Sequence, residues 1–256
     1  MRIAGDVDYD ASGDGYAKQR CADPRIAARV IDALGNARTV LNVGAGAGSY
    51  EPTDRFVLAV EPSRAMRAQR AAHAALAIDA IAENLPLDDG SVDAAMAIIT
   101  IHQWKNVRMG LLEMLRVTRG PVVILTFDGP ALERYWLFDY IPELITVERA
   151  RYMSLDDLRG ILEPPGRSVK ISNIPIPVDC SDGIIEAFYA RPEKFLDDAV
   201  RRAQSSWGFV DNDAERHFVR KLREDLESGA WERRFGALRE TASYDGSLRL
   251  IVSSSV

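Results

Sequence analysis

Thr39-Val-Leu-Asn-Val43 runs straight into Gly44-Ala-Gly-Ala-Gly48, and Phe56-Val-Leu-Ala-Val60 follows, ended by Glu61-Pro62. Two short apolar runs of this kind, separated by a glycine-rich turn, predict adjacent strands of a parallel sheet. Glycine has no Cβ, so the turn at 44–48 brings backbone close to whatever lies beyond the strand end. Glu61 stands seventeen positions after Gly44. A carboxylate at that strand end can accept hydrogen bonds from both ribose hydroxyls of a bound nucleoside.

Outward from this centre the same alternation continues. Asp23, Pro24 and Gly35 read as N-cap, first helical position and C′ residue of a helix over about 24–34, striped by Ile26, Val30 and Leu34. An Ala- and Arg-rich helix is predicted from Ser63 to about His73, and a third strand over Leu76–Ile78. A fourth strand is expected over Val92–Ile99 and a fifth over Pro121–Phe127. The helix between them is marked by Val107, Leu111, Met114 and Leu115. Ser154 reads as a helix cap, Ser168–Ile174 as a sixth strand and Ser247–Ser253 as a final one. Residues from Asp182 to about Glu240 read as mostly helical, with one clean piece from Asp211 carrying Phe218, Leu222 and Leu226. The fold expected is a doubly wound α/β sheet of seven strands, covered on both faces, with a helical lid inserted before the last strand.

Composition narrows the function. Lys plus Arg is 32 and Asp plus Glu is 38, a formal net charge of −6, which opposes a polyphosphate partner such as nucleic acid. The two cysteines, Cys21 and Cys180, make neither a disulfide framework nor a zinc site, and neither His73 nor His217 stands at metal-ligand spacing. No metal is expected. The residues from Met1 to Asp10 are acidic and carry no apolar stretch, and Ala94–Ile99 is too short to span a bilayer. A cytoplasmic protein without a membrane partner is the expectation.

The nucleoside could belong to NAD or to S-adenosylmethionine. A dinucleotide needs a helix N-terminus aimed at its pyrophosphate. Only about seven residues separate Gly48 from Phe56, with Pro52 among them, which leaves hardly any room for that helix. S-adenosylmethionine has no phosphate and loses little by this.

Longer motifs carry the reading further. They are Val40-Leu-Asn-Val-Gly-Ala-Gly-Ala-Gly48, Ala59-Val-Glu-Pro-Ser63, Ala82-Glu-Asn-Leu-Pro-Leu-Asp-Asp-Gly-Ser-Val-Asp93, Ile101-His-Gln-Trp104 and Leu112-Glu-Met-Leu-Arg-Val117. Through these the chain resembles the class I S-adenosylmethionine-dependent methyltransferases, and the resemblance runs through nearly its whole length. Gly15-Tyr16, Arg20, Asp23-Pro-Arg-Ile26, Phe188-Tyr-Ala-Arg-Pro-Glu193 and Ser228-Gly-Ala-Trp231 look like one bacterial branch that acts on small molecules. The resemblance implies a single Rossmann-like methyltransferase domain over 1–256. Its core would comprise 24–128, 154–177 and 247–255, and its lid about 129–150 and 181–240.

It also implies site roles. Gly44, Ala45 and Gly46 would hold the methionine end, and Glu61 the ribose. Pro62 and Met66 would lie beside the adenine, and Ala82 and Glu83 at its edge. Arg20 would pair with the methionine carboxylate, Tyr16 would cover the cofactor, and Thr100 would reach it from the fourth strand. Asn42 and Ile81 stand where many members carry Asp, so contacts there are expected to pass through backbone or water.

His102 is the candidate general base, because an imidazole at the end of the fourth strand can take a proton from an attacking O–H or N–H. A structural histidine bonded to a loop is the alternative. Trp104 is expected to pack on the following helix. Tyr135, Trp136 and Tyr140, in an aromatic run after the fifth strand, are expected to wall a mostly apolar acceptor pocket. The competing functions are an NAD(P)-dependent oxidoreductase, which would lack a Tyr-x-x-x-Lys pair here, and a non-catalytic cofactor-binding protein.

Overall fold

In the computed structural model residues 19–256 are described; Tyr16 lies outside them. Helix α1 (Pro24–Ala33) begins as its sequence dictates: the Asp23 carboxylate accepts from the Arg25 amide, and Pro24 fills the first turn. Gly35 closes it at φ +57°. Strands β1 (Thr39–Val43), β2 (Phe56–Val60), β3 (Ala77–Ile78), β4 (Ala94–Ile98) and β5 (Val122–Phe127) follow, then β6 (Arg167–Asn173) and, far later, β9 (Leu248–Ser255). They form one sheet in the order β3-β2-β1-β4-β5-β9-β6, parallel from β3 to β5, with β9 antiparallel to both neighbours.

The sheet is covered on both faces, which is why its strands read as continuous apolar runs rather than alternating ones. Leu41, Val43, Ala95, Ala97 and Ile124 face one side. There they meet α3 (Val107–Val117) and α5 (Leu155–Leu162) through Leu111, Met114, Val117, Leu158 and Leu162. Val40, Ala94, Met96, Val123 and Leu125 face the other, against Ile26 and Val30 of α1, its capping Leu34 and the stretch from Ile174 to Ala187. The period of two along each strand sorts its residues between the two cores.

One helix is shorter than its composition predicts. The segment after β2 is helical only over α2 (Arg64–Ala68), not to His73. Helix propensity is high there, but Met66 is the only residue of α2 that is buried, so little apolar surface holds further turns. Arg70 instead turns under the glycine loop, where it pairs with Glu51 and donates to the Gly46 carbonyl.

Two segments leave the sheet at its carboxyl rim. The first follows β5 and includes α4 (Pro142–Arg151). The second lies between β7 (Ile176–Pro177) and β8 (Ser243–Tyr244), which pair antiparallel and close its neck. The excursion is helical but broken: short 3-10 turns alternate with α6 (Asp198–Arg202), α7 (Asn212–Glu227) and α8 (Ala230–Phe235). Asp211 caps α7, and Phe218 and Leu222 are its buried face. Leu248 pairs with Phe127, so the excursion returns to the same rim from which the first segment departs. Together the two segments make a third core rich in aromatic residues. No helix among the described residues is long and apolar enough to cross a membrane.

Candidate active site

The carboxyl ends of β1, β2 and β4 converge on the glycine turn. Gly44, Gly46 and Gly48 all have positive φ, at +66°, +51° and +94°, which only glycine adopts without strain. The Ala45 amide donates to the Val60 carbonyl, tying the turn to β2. A Cβ on Gly44 would lie 2.2 Å from Thr100 Oγ1, so the turn can pass the end of β4 only without a side chain.

Glu61 is nearly buried, and its two carboxylate oxygens accept from the backbone amides of Gly46 and Ser63, both at 2.8 Å. Burial raises its carboxyl above the ordinary range. The two amide bonds and the charges of Arg67 and Arg70 oppose that rise. The acid is therefore fixed in place against the turn.

These elements enclose a cleft of about 350 Å³. Every candidate cofactor residue among the described ones lines it: Arg20, Gly44, Ala45, Gly46, Glu61, Pro62, Met66, Ala82, Glu83 and Thr100. Arg20 reaches it with Nε donating to Asp182 at 2.6 Å, and Tyr50 donates to the same carboxylate at 2.8 Å. Asn42, at the floor, donates to Glu51, itself paired with Arg70, so a buried carboxylate lies next to the position where related chains carry Asp. Ile81 is half exposed at the wall. Trp104 also touches the cleft, and its ring lies on Gly110 of α3, where a Cβ would come within 2.5 Å. A glycine inside a helix is a signal in the sequence that could have pointed to this close ring contact.

Beside the cleft is a second, smaller cavity of about 30 Å³, with Arg20 and Ile99 common to both walls. Ile99 has φ +51°, a conformation costly for a β-branched residue, at the junction of the two spaces. His102 lines the inner cavity, not the cleft. It is 5% exposed, lies 4.9 Å from the Tyr152 ring, and its Nδ1 has no hydrogen-bond partner among the described residues. Burial, and then the charges of Arg151 and Arg20, hold its basicity well below that of a free histidine. The remaining wall comes from Phe127, Glu148, Tyr152, Ile184, Ile185, Gln204 and Ser205.

The expected aromatic pocket wall needs correction. Tyr135, Trp136 and Tyr140 line neither space. They lie inside the rim segments' own core, with Tyr135 donating to the Ile185 carbonyl, Trp136 to the Tyr189 carbonyl and Tyr140 to Asp225. Their apolar surface is satisfied by Phe195, Trp231 and Phe218 instead. The rim segments do reach the inner cavity, through Ile184 and Ile185 and through the polar Glu148, Gln204 and Ser205. These polar residues carried no motif, and only tertiary packing brings them together.

The chain matches the methyltransferase domain family over residues 41–124. No curated protein matches it. It is 33% identical to a protein of Anabaena variabilis named as a methyltransferase from an antibiotic biosynthesis pathway. That likeness covers 93% of this chain and 99% of the other, with a TM-score of 0.86. A S-adenosylmethionine-dependent methyltransferase of Thermotoga maritima is 16% identical (TM-score 0.57, covering 97% and 98%) and shares the fold. So does the geranyl diphosphate C-methyltransferase of Streptomyces coelicolor, solved with S-adenosyl-L-homocysteine, at 15% identity (TM-score 0.51, covering 91% and 79%). With its strand order and glycine turn, these likenesses identify the chain as a member of the class I S-adenosylmethionine-dependent methyltransferases, enzymes of methyl transfer.

Proposed function

We propose that the cleft holds S-adenosylmethionine and that a small-molecule acceptor enters from the inner cavity, beneath a lid made of residues 129–150 and 181–240. The observation that carries this reading is the convergence of the Gly44–Gly46 turn, the fixed Glu61 carboxylate and the Ala82–Glu83 backbone on one 350 Å³ space. Arg20 and Ile99 line both that space and a second one. The residues fit the group. The left-handed Gly44 and Gly46 let the turn pass Thr100 and Met66 closely and line the space with backbone, Glu61 offers acceptors beside the ribose position, and Met66 offers an apolar flank.

When bound, S-adenosylmethionine would supply an electron-poor methyl group on a sulfonium sulfur, a leaving group that departs as a neutral thioether. The chain's own task is then alignment and exclusion of water. The turn at 44–46 would grip the methionine moiety and Arg20 its carboxylate. Pro62 and Met66 would flank the adenine, with Ala82 and Glu83 at its edge. Thr100 would close the turn from β4. His102 is the one group on the acceptor side able to take a proton at a ring nitrogen. The net charge of −6 disfavours a nucleic-acid acceptor, and the reduced cysteines suit a cytoplasmic setting.

Calorimetry with S-adenosylhomocysteine tests the assignment. Glu61→Ala should weaken binding by about tenfold or more, since a hydrogen bond to a charged group contributes ~1.5–3 kcal/mol. The 2′-deoxy analogue should lose little further affinity in that variant. Full additivity of the two losses would place the ribose elsewhere.

A further inference from the structure

We infer that the inner cavity is the polar subsite of the acceptor and that it takes an oxygen acid, such as a phenol or enol, in preference to an amine. This rests on the cofactor reading above and adds the substrate class.

Two residues that line the cavity each carry a buried polar atom without a partner among the described residues, and such groups are rare enough in folded proteins to call for an explanation. His102 Nδ1 and Gln204 Nε2 are both buried and have no hydrogen-bond partner among the described residues. The Gln204 amide is oriented by Trp207, whose Nε1 donates to its oxygen at 3.4 Å, so the NH₂ is the free end. Ser205 Oγ already accepts from Arg151 at 3.0 Å and from Gln103 at 3.3 Å, which leaves its own hydrogen to give. The wall therefore offers an amide N–H, a hydroxyl O–H and an imidazole nitrogen. Two of these donate, and the third can accept.

The charges point the same way. Asp182 is engaged by Arg20 and Tyr50, and Glu148 by Arg151 at 3.0 Å and Tyr152 at 2.8 Å. Each carboxylate is thus occupied on both oxygens, while one buried nitrogen of Arg151 has no partner among the described residues. An ammonium placed here would add a third cation beside Arg20 and Arg151. An oxygen anion would instead meet the Gln204 and Ser205 donors, while both carboxylates that could hold an ammonium are already engaged.

His102 completes the argument. The same two arginines and its burial keep the ring neutral and weakly basic. Such a base removes a proton readily only from an acidic group. In the transfer, the acceptor O–H proton passes to the imidazole and an oxygen lone pair forms the new bond to the methyl carbon. The old S–C electron pair stays on sulfur, and the imidazolium later returns its proton to water. The cavity is small, so it would receive the reacting oxygen and its neighbouring atoms, while the rest of the acceptor lies past Ile99.

The test uses the full chain saturated with S-adenosylhomocysteine and two probes, 4-nitrophenol and benzylamine. The chain has three histidines, so nitrogen-detected NMR can follow His102 directly. We expect 4-nitrophenol to bind at least tenfold more tightly than benzylamine and to shift the His102 ring signals. Gln204→Leu should weaken 4-nitrophenol about tenfold while S-adenosylhomocysteine affinity stays within twofold. Gln204→Glu keeps the size and the Trp207 contact, so it serves if the leucine variant fails to fold. It should reverse the preference toward benzylamine. Equal or tighter binding of benzylamine, an unmoved His102 signal, or unchanged 4-nitrophenol affinity in a folded Gln204 variant would overturn the inference alone. Failure of S-adenosylhomocysteine to bind would overturn the cofactor reading and this inference with it.

Discussion

The two spaces of the active site are built from different materials. The outer cleft is made of strand ends and turns. Apart from Arg20, every wall residue falls between Asn42 and Lys105, and the Glu61 carboxylate is fixed there by backbone amides. The inner cavity is made of side chains from separate stretches: Arg20, Ile99 and His102, Phe127, Glu148 and Tyr152, Ile184 and Ile185, Gln204 and Ser205. Sheet register sets the first. The second exists only once the rim segments have packed. The lesson is a division of labour: the sheet can hold a common reagent while substitutions in the rim segments change the acceptor without moving a strand.

The largest test of that division is Trp136→Ala. This ring meets Tyr140, Phe195 and Trp231 edge-on at 5.6–5.8 Å, in the centre of the rim core. Its loss should lower stability by about 3–5 kcal/mol in denaturant titrations. S-adenosylhomocysteine affinity should stay within about threefold; a parallel collapse of affinity would show that the halves are not separable.

Gly44→Ala probes the other half. Its Cβ would strike Thr100 at an already left-handed position, and overpacking of this kind costs about 1–3 kcal/mol. If that cost falls on the bound state, cofactor affinity should drop about tenfold to a hundredfold. Adding Thr100→Ala should recover part of it, because the Thr100 Oγ1 and Cγ2 contacts disappear. No loss of affinity in Gly44→Ala would remove the turn from the cofactor site.

The smallest expected effect lies at the neck between the halves. Glu186 is fully buried where Ser247 donates to it through both its amide and its hydroxyl. Burial raises its carboxyl to about 7, despite those bonds and the charges of Arg249 and Arg134. The folded state thus holds a proton that the unfolded chain releases near pH 4.3. Stability from this group is fully present below that value and falls as pH rises toward about 7, by at most about 1.4 kcal/mol per pH unit. Glu186→Gln should flatten the slope of unfolding free energy in this window; an unchanged slope would assign the dependence to other groups.

The same division explains what the sequence disclosed. Strand ends are local facts: an apolar run, a glycine, an acid. So β1, β2, the turn and Glu61 could be placed from a few consecutive residues. Caps are local as well, and Asp23, Ser154 and Asp211 all accept from the amide expected of an N-cap. The aromatic run at 135–140 announced burial but not its partner, because Tyr140 meets Asp225, 85 positions away. His102 could be placed at a strand end, whereas Gln204 and Glu148 reach its cavity only through packing between distant segments. The overlong helix after β2 failed for a related reason: propensity was visible, but the pull of Glu51 on Arg70 was not.

Strand β9 has a consequence for the birth of the protein. It pairs with β5 on one side and β6 on the other, so the sheet cannot close until residues beyond Leu248 exist. On a ribosome making 5–20 residues per second, β5 waits roughly 6–25 s for that partner. Meanwhile the nascent chain presents two unpaired edges, one of them the wholly apolar Val122–Leu125, a template for wrong pairing. The rim segments are synthesised in this interval, and the β7–β8 pair that closes their neck lies just before the last strand in the chain. Slow elongation would lengthen the exposure, and a chaperone that shields strand edges would act in this interval. Nascent chains stalled at Gly246 should accordingly be far more prone to aggregate than those allowed to extend past Ser255.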